Sequence, residues 1–242
     1  MKDVLAGARP ARLLNAEGLE RSEVVANVCM NRERNLLGLN SYEKELGFSP
    51  AEFLSGILEK KDHASWPDLC CGAGRALVRA AELLNAKGFG DRVNLLGVDL
   101  IPLFDPIPLH QTHIHLTSSS VERWSASERF DLITCVHGLH YVGDKLGLLT
   151  RAAGWLKADG RLLAHLDFQN LRVHGLKRPA VQFGKDLRDA GFEYKSGRKL
   201  IMRSGDGPPR SLPYRYLGAD DKAGPNYTGQ AAANSYYERI PK

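Results

Sequence analysis

Residues 66–77 hold the densest group of residue types that could bind a ligand. The segment reads Trp-Pro-Asp-Leu-Cys-Cys-Gly-Ala-Gly-Arg-Ala-Leu, which predicts a short strand, a turn of small residues and then a helix. Gly72 and Gly74 allow the backbone to approach a ligand closely, and the N–H groups that begin the helix have no partner within it. The carboxylate of Asp68 disfavours a phosphate here. It favours a ligand that is cationic or rich in hydroxyl and amino groups.

Two further segments place polar side chains after strand patterns. Asp99 ends the apolar run of residues 94–99, and the sequence Val-His-Gly-Leu-His-Tyr of residues 136–141 follows the run that begins at Phe130. Ligands of open α/β sheets bind outside the carboxyl ends of the strands. An acid at the end of the second strand is the expected partner of two neighbouring ribose hydroxyls, since a carboxylate can accept from both.

The elements that must position these residues alternate along the chain. Strand patterns cover residues 66–69, 94–99, 113–117, 130–136 and 160–166. Helical patterns cover residues 20–30, 146–156 and 180–190, and Ser49-Pro50-Ala51-Glu52 is a good helix start. The late segments 199–202 and 212–216 predict the two strands of a hairpin. This alternation predicts a largely parallel α/β sheet.

The chain divides into three parts by composition. Residues 1–64 are polar and helical in pattern and predict an N-terminal cap. Residues 65–221 carry the alternating strands and helices of a ligand-binding domain. Residues 222–242 are rich in Gly, Ala, Asn and Tyr, and we interpret this tail as either an ordered lid or a loosely attached segment.

The sequence resembles the class I S-adenosylmethionine-dependent methyltransferases of the small-molecule type, over roughly residues 66–216. The likeness rests on residues 68–74, Asp99, residues 130–133 and residues 156–162, in this order and spacing. It implies a Rossmann-like, doubly wound, seven-stranded sheet whose last strand is antiparallel, here with a helical N-terminal cap. It also implies S-adenosylmethionine as the cofactor.

The resemblance also implies roles for single residues. Gly72 and Gly74 lie beneath the methionine part of the cofactor, and Asp68 reaches its amino group through water or backbone. Asp99 holds the ribose hydroxyls and Leu100 touches the adenine. The remaining cofactor-binding residues implied are Cys70, Ser119 (at the amino edge of adenine) and Val136 (near the reactive methyl).

Three positions depart from the family pattern. Cys70 stands where the family usually has its first glycine, so a small side chain must fit there. Pro67 lies in a central strand, where it cannot donate to the ladder. Serines replace the acid that often follows the third strand.

The acceptor side of the site is predicted around His137, directly after the fourth strand. We expect His137 to orient or deprotonate the nucleophile, with a structural loop histidine as the alternative. The other substrate-binding candidates are Arg32, Tyr42, His140 and Tyr141. For Arg32 the alternative is a solvated helix face, and His140 and Tyr141 also suit packing of the following turn. His113 and His115 share a strand face without a third ligand, so no metal site is predicted.

Composition and motifs limit the other classes of function. The net charge is +5 and the pI about 9.0, but Lys and Arg are scattered, which makes nucleic acid an unexpected partner. The Gly turn lacks the third glycine of a dinucleotide fingerprint. The four cysteines lack metal spacing. No signal peptide or membrane span is evident, so a cytoplasmic location is expected.

The sequence therefore predicts an O- or N-methyltransferase that acts on a small-molecule acceptor by in-line methyl transfer. Two alternatives stay open: an RNA or protein methyltransferase, and a non-catalytic protein that keeps the fold as a scaffold. A homodimer is also left open.

Overall fold

A computed structural model describes residues 13–26, 33–173, 176, 179–205, 207 and 210–240. The helices are α1 Ala16–Glu20, α2 Glu23–Ala26, α3 Tyr42–Leu46, α4 Pro50–Leu58, α5 Arg75–Ala86, α6 Lys145–Gly154 and α7 Pro179–Asp189. The strands are β1 Ala64–Leu69, β2 Val93–Asp99, β3 Ile114–Ser118, β4 Phe130–Cys135, β5 Leu156–His165, β6 Leu171–Val173, β7 Glu193–Lys195, β8 Leu200–Ser204, β9 Tyr214–Asp220 and β10 Asn234–Arg239.

Seven strands form the main sheet, in the order β3-β2-β1-β4-β5-β8-β7. Neighbouring strands from β3 to β5 are parallel, and β8 is antiparallel to both β5 and β7. The order changes direction between β1 and β4, which places a crevice at the carboxyl ends of these strands. The expected Rossmann-like sheet with an antiparallel last strand is confirmed.

Apolar side chains cover both faces of the main sheet. On one face, Leu54 of α4 and Leu77 of α5 pack in the same cluster as Trp66 of β1. On the other face, Leu149 of α6 and Phe183 of α7 pack in the cluster that contains β4 and β5 side chains. All six residues of β1 are buried, as expected for a strand covered on both faces. The sheet is therefore doubly wound.

Pro67 fits within β1 because the backbone N–H that proline lacks would point towards β4, where few ladder hydrogen bonds form. Pro67 is in register with Leu96 of β2, and Asp68 is the β1 residue in register with β4. On the β4 side, the backbone N–H of Ser65 donates to the side chain of Asp131 rather than to the ladder. The ladder towards β4 is thus short, and the missing donor of Pro67 falls where the pairing is already interrupted.

The predicted hairpin of residues 199–202 and 212–216 is wrong. β8 pairs with β5 and β7, whereas β9 belongs to a second sheet of three strands in the order β6-β10-β9. β9 is antiparallel to β10, which comes from the predicted tail, and β6 is parallel to β10. The expected boundary between residues 221 and 222 therefore lies in the connection between β9 and β10, which pair with each other. The three-part division of the chain stays a prediction.

Smaller differences concern the ends of elements. The pattern of residues 20–30 corresponds to α1 and α2, which are separated at Arg21 and Ser22, and residues 27–32 lie outside the described residues. The hydroxyl of Ser49 accepts from the N–H of Glu52 and caps α4 as expected. β5 begins at Leu156, before the predicted start at Gly160. Within the described residues, no helix combines the length and hydropathy that crossing a bilayer requires.

Candidate active site

The turn after β1 bends through three left-handed backbone conformations. The φ angles are +60° at Cys70, +60° at Gly72 and +82° at Gly74. Gly74 then serves as the N-cap of α5, and a Cβ there would lie 2.8 Å from the side chain of Leu116. A side chain is disfavoured at such angles, and Cys70 bears this strain. Strained backbone of this type concentrates at ligand-binding turns.

The carboxylate of Asp99 is fixed beside this turn. Its Oδ2 accepts from the backbone N–H of Gly72 at 2.8 Å, and its Oδ1 accepts from the N–H of Ile101 at 3.1 Å. The residue is buried except for 8% of its surface. A carboxylate held by two backbone donors has a set orientation and stays in place when a ligand binds.

A cleft runs along the carboxyl ends of β1, β2 and β4. Its lining consists of Val25, Cys70, Gly72, Asp99, Leu100, Ile101, Val136, His137, Gly138 and Tyr141. The structure therefore brings together most of the predicted cofactor residues with the predicted catalytic residue. Asp68, Gly74 and Ser119 lie outside this lining, so their predicted contacts to the cofactor stay predictions. Val25 was missed because the weak helical pattern around it gave no sign of a binding site.

Asp68 is fully buried below the turn, and both of its oxygens have protein partners. The hydroxyl of Tyr42 donates to Oδ2 and the hydroxyl of Thr134 donates to Oδ1, each at 2.6 Å. The indole N–H of Trp66 in turn donates to the Thr134 hydroxyl at 2.8 Å. Burial raises the pKa of Asp68 to about 7, although the two hydrogen bonds act in the opposite direction. This network ties α3 to β1 and β4.

Tyr42 was predicted to bind the substrate, and its hydroxyl is bonded to Asp68 instead of being directed at the cleft. Ser119 is half-buried, and its backbone N–H donates to the carbonyl of Asp99 at 2.9 Å. Arg32 lies outside the described residues. The substrate and adenine roles assigned to these three residues stay predictions.

His137 follows β4 in a left-handed conformation, with φ of +59°. The next residue, Gly138, begins a short 3-10 turn that extends to Tyr141. A Cβ on Gly138 would lie 2.4 Å from the Cβ of Cys70 and 2.9 Å from the Sγ of Cys135. The absence of a side chain at Gly138 thus lets the segment after β4 approach the turn after β1, which brings His137 to the cleft.

Glu45 and His165 form a cluster with His137 that the sequence did not predict. Nε2 of His137 lies 3.3 Å from Oε1 of Glu45, and Nε2 of His165 lies 3.4 Å from Oε2 of the same carboxylate. The rings of His137 and His165 are stacked, with centroids 4.2 Å apart. Arg34 donates to Oε1 of Glu45 at 2.9 Å. Helix α3 and the main sheet thus meet at one carboxylate.

The surroundings of this cluster set its protonation. Interaction with the imidazole rings of His137 and His165 lowers the pKa of Glu45 well below its usual range. Burial lowers the pKa of His137 to about 4, even though the carboxylate of Glu45 favours the charged ring. At neutral pH the cluster therefore contains an ionised carboxylate beside a neutral His137.

Tyr227 and His140 complete the wall around His137. The hydroxyl of Tyr227 lies 3.3 Å from Nδ1 of His137. His140 is fully buried, with its ring centroid 5.5 Å from that of Tyr227 and 5.9 Å from that of His137. His140 therefore packs behind the cluster, whereas Tyr141 lines the cleft itself. The segment between β9 and β10 contributes Tyr227, so the C-terminal part of the chain reaches the site.

Parts of this chain align with solved structures, among them methyltransferases. The DszA carbon methyltransferase aligns with 67% of this chain and 53% of its own, with 15% identity and a TM-score of 0.49. The sugar N-methyltransferase KedS8 from Streptoalloteichus sp. aligns with 49% and 47% of the two chains, with 18% identity and a TM-score of 0.36. YjhP from E. coli aligns with 56% and 51%, with 20% identity and a TM-score of 0.38. This chain thus spans about half the length of each of these structures.

The family assignment rests on the sequence. No curated protein matches the chain. Residues 42–197, however, match the family described as "Methyltransferase domain". The matched region begins at α3, which supplies Tyr42 and Glu45, and extends through β7. It covers more than half of the chain and includes the turn after β1, Asp99 and the segment after β4. The chain therefore belongs to this methyltransferase family, as its resemblance to the class I S-adenosylmethionine-dependent enzymes predicted.

Proposed function

We propose that this protein transfers a methyl group from S-adenosylmethionine to an oxygen or nitrogen of a small-molecule acceptor. The observation that carries the proposal is the charge of the cleft. Among the described residues that line it, Asp99 is the acidic side chain, and no lysine or arginine accompanies it. A phosphate-bearing dinucleotide needs positive groups or bare N–H groups. A positively charged sulfonium with ribose hydroxyls suits a wall that holds a carboxylate.

The lining residues fit the parts of this cofactor. Asp99, which two backbone N–H groups hold in place, accepts the ribose hydroxyls. Leu100 and Ile101 follow it with the apolar surface that adenine requires. At Gly72, and in the strained turn at Cys70, the methionine part of the cofactor can approach the backbone closely. When bound, the cofactor supplies an electrophilic methyl group on a sulfonium centre.

His137 is the residue that connects the cleft to the acceptor. It belongs both to the cleft lining and to the cluster with Glu45 and His165. Its neutral ring can orient the nucleophile or accept its proton, and the ionised carboxylate of Glu45 stabilises the ring when it becomes charged. Methyl transfer from a sulfonium needs alignment and exclusion of water more than strong acid–base groups. The buried position of His137 meets that need.

The enclosure of His137 supports a small acceptor. Glu45 from the cap covers one side of the ring, and Tyr227 from the segment before β10 covers another. A folded protein or a duplex could not approach a group enclosed in this way without moving both. We extend the proposal to a cytoplasmic location, because we expect the acceptor to be a metabolite of that compartment.

Calorimetry with S-adenosylhomocysteine tests the proposal without knowledge of the acceptor. We expect the wild-type protein to bind it, and to bind NAD⁺ much more weakly because the described lining of the cleft offers no basic side chain for a pyrophosphate. Release of S-adenosylhomocysteine from S-adenosylmethionine should then be screened over panels of phenols, carboxylic acids and amines. A folded protein that binds neither form of the cofactor would show that the fold serves as a scaffold.

A further inference from the structure

The side chain of Tyr227 reaches from the surface of the molecule to the buried ring of His137. The imidazole of His137 is 1% exposed, whereas Tyr227 is 44% exposed. The hydroxyl at the inner end of the phenol lies 3.3 Å from Nδ1 of His137. The phenol therefore fills a passage that leads from solvent to a ring nitrogen of the predicted catalytic residue.

The hydrogen bond between these two residues has a defined direction. Burial raises the pKa of the Tyr227 hydroxyl, so the phenol keeps its proton at neutral pH. Burial also lowers the pKa of His137 to about 4, so its ring is neutral. Nε2 of that ring lies 3.3 Å from the ionised carboxylate of Glu45, which favours the tautomer with the proton on Nε2. Nδ1 then carries the lone pair, and the hydroxyl of Tyr227 donates to it.

Imidazole rings surround the phenol in a way that also suits an aromatic ligand. The ring of His140 meets the phenol edge to face, with centroids 5.5 Å apart, and the centroid of the His137 ring lies 6.0 Å from it. His140 is fully buried, and neither of its ring nitrogens has a hydrogen-bond partner within the described part of the chain. Buried polar atoms of this kind call for a water or a ligand. The surroundings therefore suit an aromatic ring that carries polar groups.

The phenol lies next to the cofactor cleft, although Tyr227 is not among the described residues that line it. His137 and Tyr141 line the cleft. Tyr227 contacts the first of them directly and the second through His140. Withdrawal of Tyr227 would therefore extend the cleft along the ring of His137 towards solvent. A ligand that takes the place of the phenol lies against the ring that the cleft and the passage share.

Tyr227 belongs to a turn that can move as a unit. The N–H of Gly229 donates to the carbonyl of Asn226 at 2.9 Å, and Oδ1 of Asn226 accepts from the N–H and the hydroxyl of Thr228 at 2.7 Å and 2.6 Å. Gly229 has a left-handed φ of +80°, and a Cβ there would meet no neighbouring atom within 4 Å. The turn keeps its shape through its own hydrogen bonds, so Tyr227 can leave His137 without disruption of either sheet.

We propose that the side chain of Tyr227 occupies the position of the acceptor, and that the acceptor is a phenol whose hydroxyl replaces that of Tyr227 at Nδ1 of His137. This inference rests on the proposed function. The acceptor hydroxyl gives its proton to Nδ1, and the carboxylate of Glu45 stabilises the charged ring. The phenol oxygen forms a bond to the methyl carbon as the bond from that carbon to sulfur breaks. The sulfonium becomes a neutral thioether while the imidazole becomes charged, so atoms and charge balance.

Phenol binding to Tyr227→Ala tests the inference in the full-length protein saturated with S-adenosylhomocysteine. The shortened side chain leaves the passage open, so phenol no longer has to displace a competing hydroxyl. An NMR titration should show that Tyr227→Ala binds phenol at least ~10-fold more tightly than the wild type, because the open state is then fully populated. Anisole should gain less affinity than phenol, since its oxygen cannot donate to Nδ1. Lys222→Ala is the matched control, because Lys222 is exposed in the same connection between β9 and β10, and it should bind phenol as the wild type does.

Two results would overturn the inference: equal phenol affinity in a folded Tyr227→Ala protein and the wild type, or equal gains for phenol and anisole. Circular dichroism shows whether the variant is folded, and Tyr227→Ser, with a residue that turns favour, gives the same test if it is not. Calorimetry with S-adenosylhomocysteine separates the two proposals. Cofactor binding without a gain in phenol affinity removes only the phenol position, whereas a wild type that does not bind S-adenosylhomocysteine removes the proposed function.

Discussion

The backbone of Gly138 lies directly against the side chain of Cys70, so that a Cβ on Gly138 would be 2.4 Å from the Cβ of Cys70. Cys70 occupies the left-handed region in the turn after β1, and Gly138 follows His137 after β4. The two segments that form the cleft are thus fitted to each other. The side chain of Cys70 therefore leaves no room for a side chain at residue 138.

This contact predicts a coupled effect of two substitutions. Gly138→Ala should lower the free energy of unfolding by about 1–3 kcal/mol, because the added methyl group overlaps Cys70. Cys70→Gly in the same chain should recover much of this loss, since glycine also suits the left-handed conformation. Urea denaturation of the two single variants and the double variant gives the coupling energy. Strictly additive effects would show that the two residues do not restrict each other.

The buried carboxyl of Asp68 predicts a specific pH dependence of stability. Burial raises its pKa to about 7 in the folded protein, from an ordinary value of 3.8. The folded state therefore binds more protons than the unfolded state between these values, and the contribution of Asp68 to stability falls as pH rises from about 4 to about 7. Asp68→Asn should remove this contribution and make stability less dependent on pH over that range.

Urea denaturation at pH 4.5, 6 and 7.5 gives the free energy of unfolding of the wild type and of Asp68→Asn. The difference between the two proteins at each pH isolates Asp68, because the contributions of other titrating groups cancel. Asp62→Asn is a suitable control, because Asp62 is exposed. Parallel pH profiles for wild type and Asp68→Asn would contradict the assignment. Tyr42→Phe should accentuate the wild-type trend, since it removes a hydrogen bond to the ionised form.

Buried Lys145 links α6 to β10 and to the residue that precedes it. Its Nζ donates to the carbonyls of Val142 and Ala233 and to the hydroxyl of Ser235, at 2.7–3.0 Å. Lys145→Met would leave two buried carbonyls without this donor, so we expect a loss of about 3 kcal/mol in the free energy of unfolding. Proteolysis should also cut residues 221–233 faster.

Lys60→Met is the control for this prediction, because Lys60 is exposed, and it should change neither stability nor proteolysis. If Lys145→Met leaves the cleavage of residues 221–233 unchanged, the lysine does not hold the tail. Because Tyr227 lies in that segment and contacts His137, loosening the tail should also expose the acceptor side of the site.

Much of the fold could be predicted because its signals are local. β1 and β4 are runs of buried residues and β2 is mostly buried. The glycines of the first turn and Asp99 stand at the ends of strands, where polar groups of a parallel sheet come together. The hairpin prediction failed for a physical reason. The partner of β9 lies at residues 234–239, and strand pairing over such a separation depends on packing that periodicity does not report.

The candidate site was only partly predictable for the same reason. His137 directly follows a strand, and His165 could have been found by that rule, since it ends β5. Glu45 gave no such signal, because it lies on α3, outside the sheet, and reaches the histidines through tertiary packing. Tyr227 likewise comes from a segment without a strand or helix pattern. Side chains that enter a site from outside the sheet cannot be inferred from sheet topology.

Binding of S-adenosylhomocysteine to Asp99→Asn tests the central claim most directly. The carboxylate of Asp99, held by the N–H groups of Gly72 and Ile101, is the group proposed to bind the ribose. Calorimetry should show affinity at least ~10-fold weaker than wild type, since hydrogen bonds to a charged group contribute about 1.5–3 kcal/mol. The exposed Asp91, at the opposite end of β2, provides the control Asp91→Asn, which should bind normally. Equal affinity of a folded Asp99→Asn protein and the wild type would contradict the account.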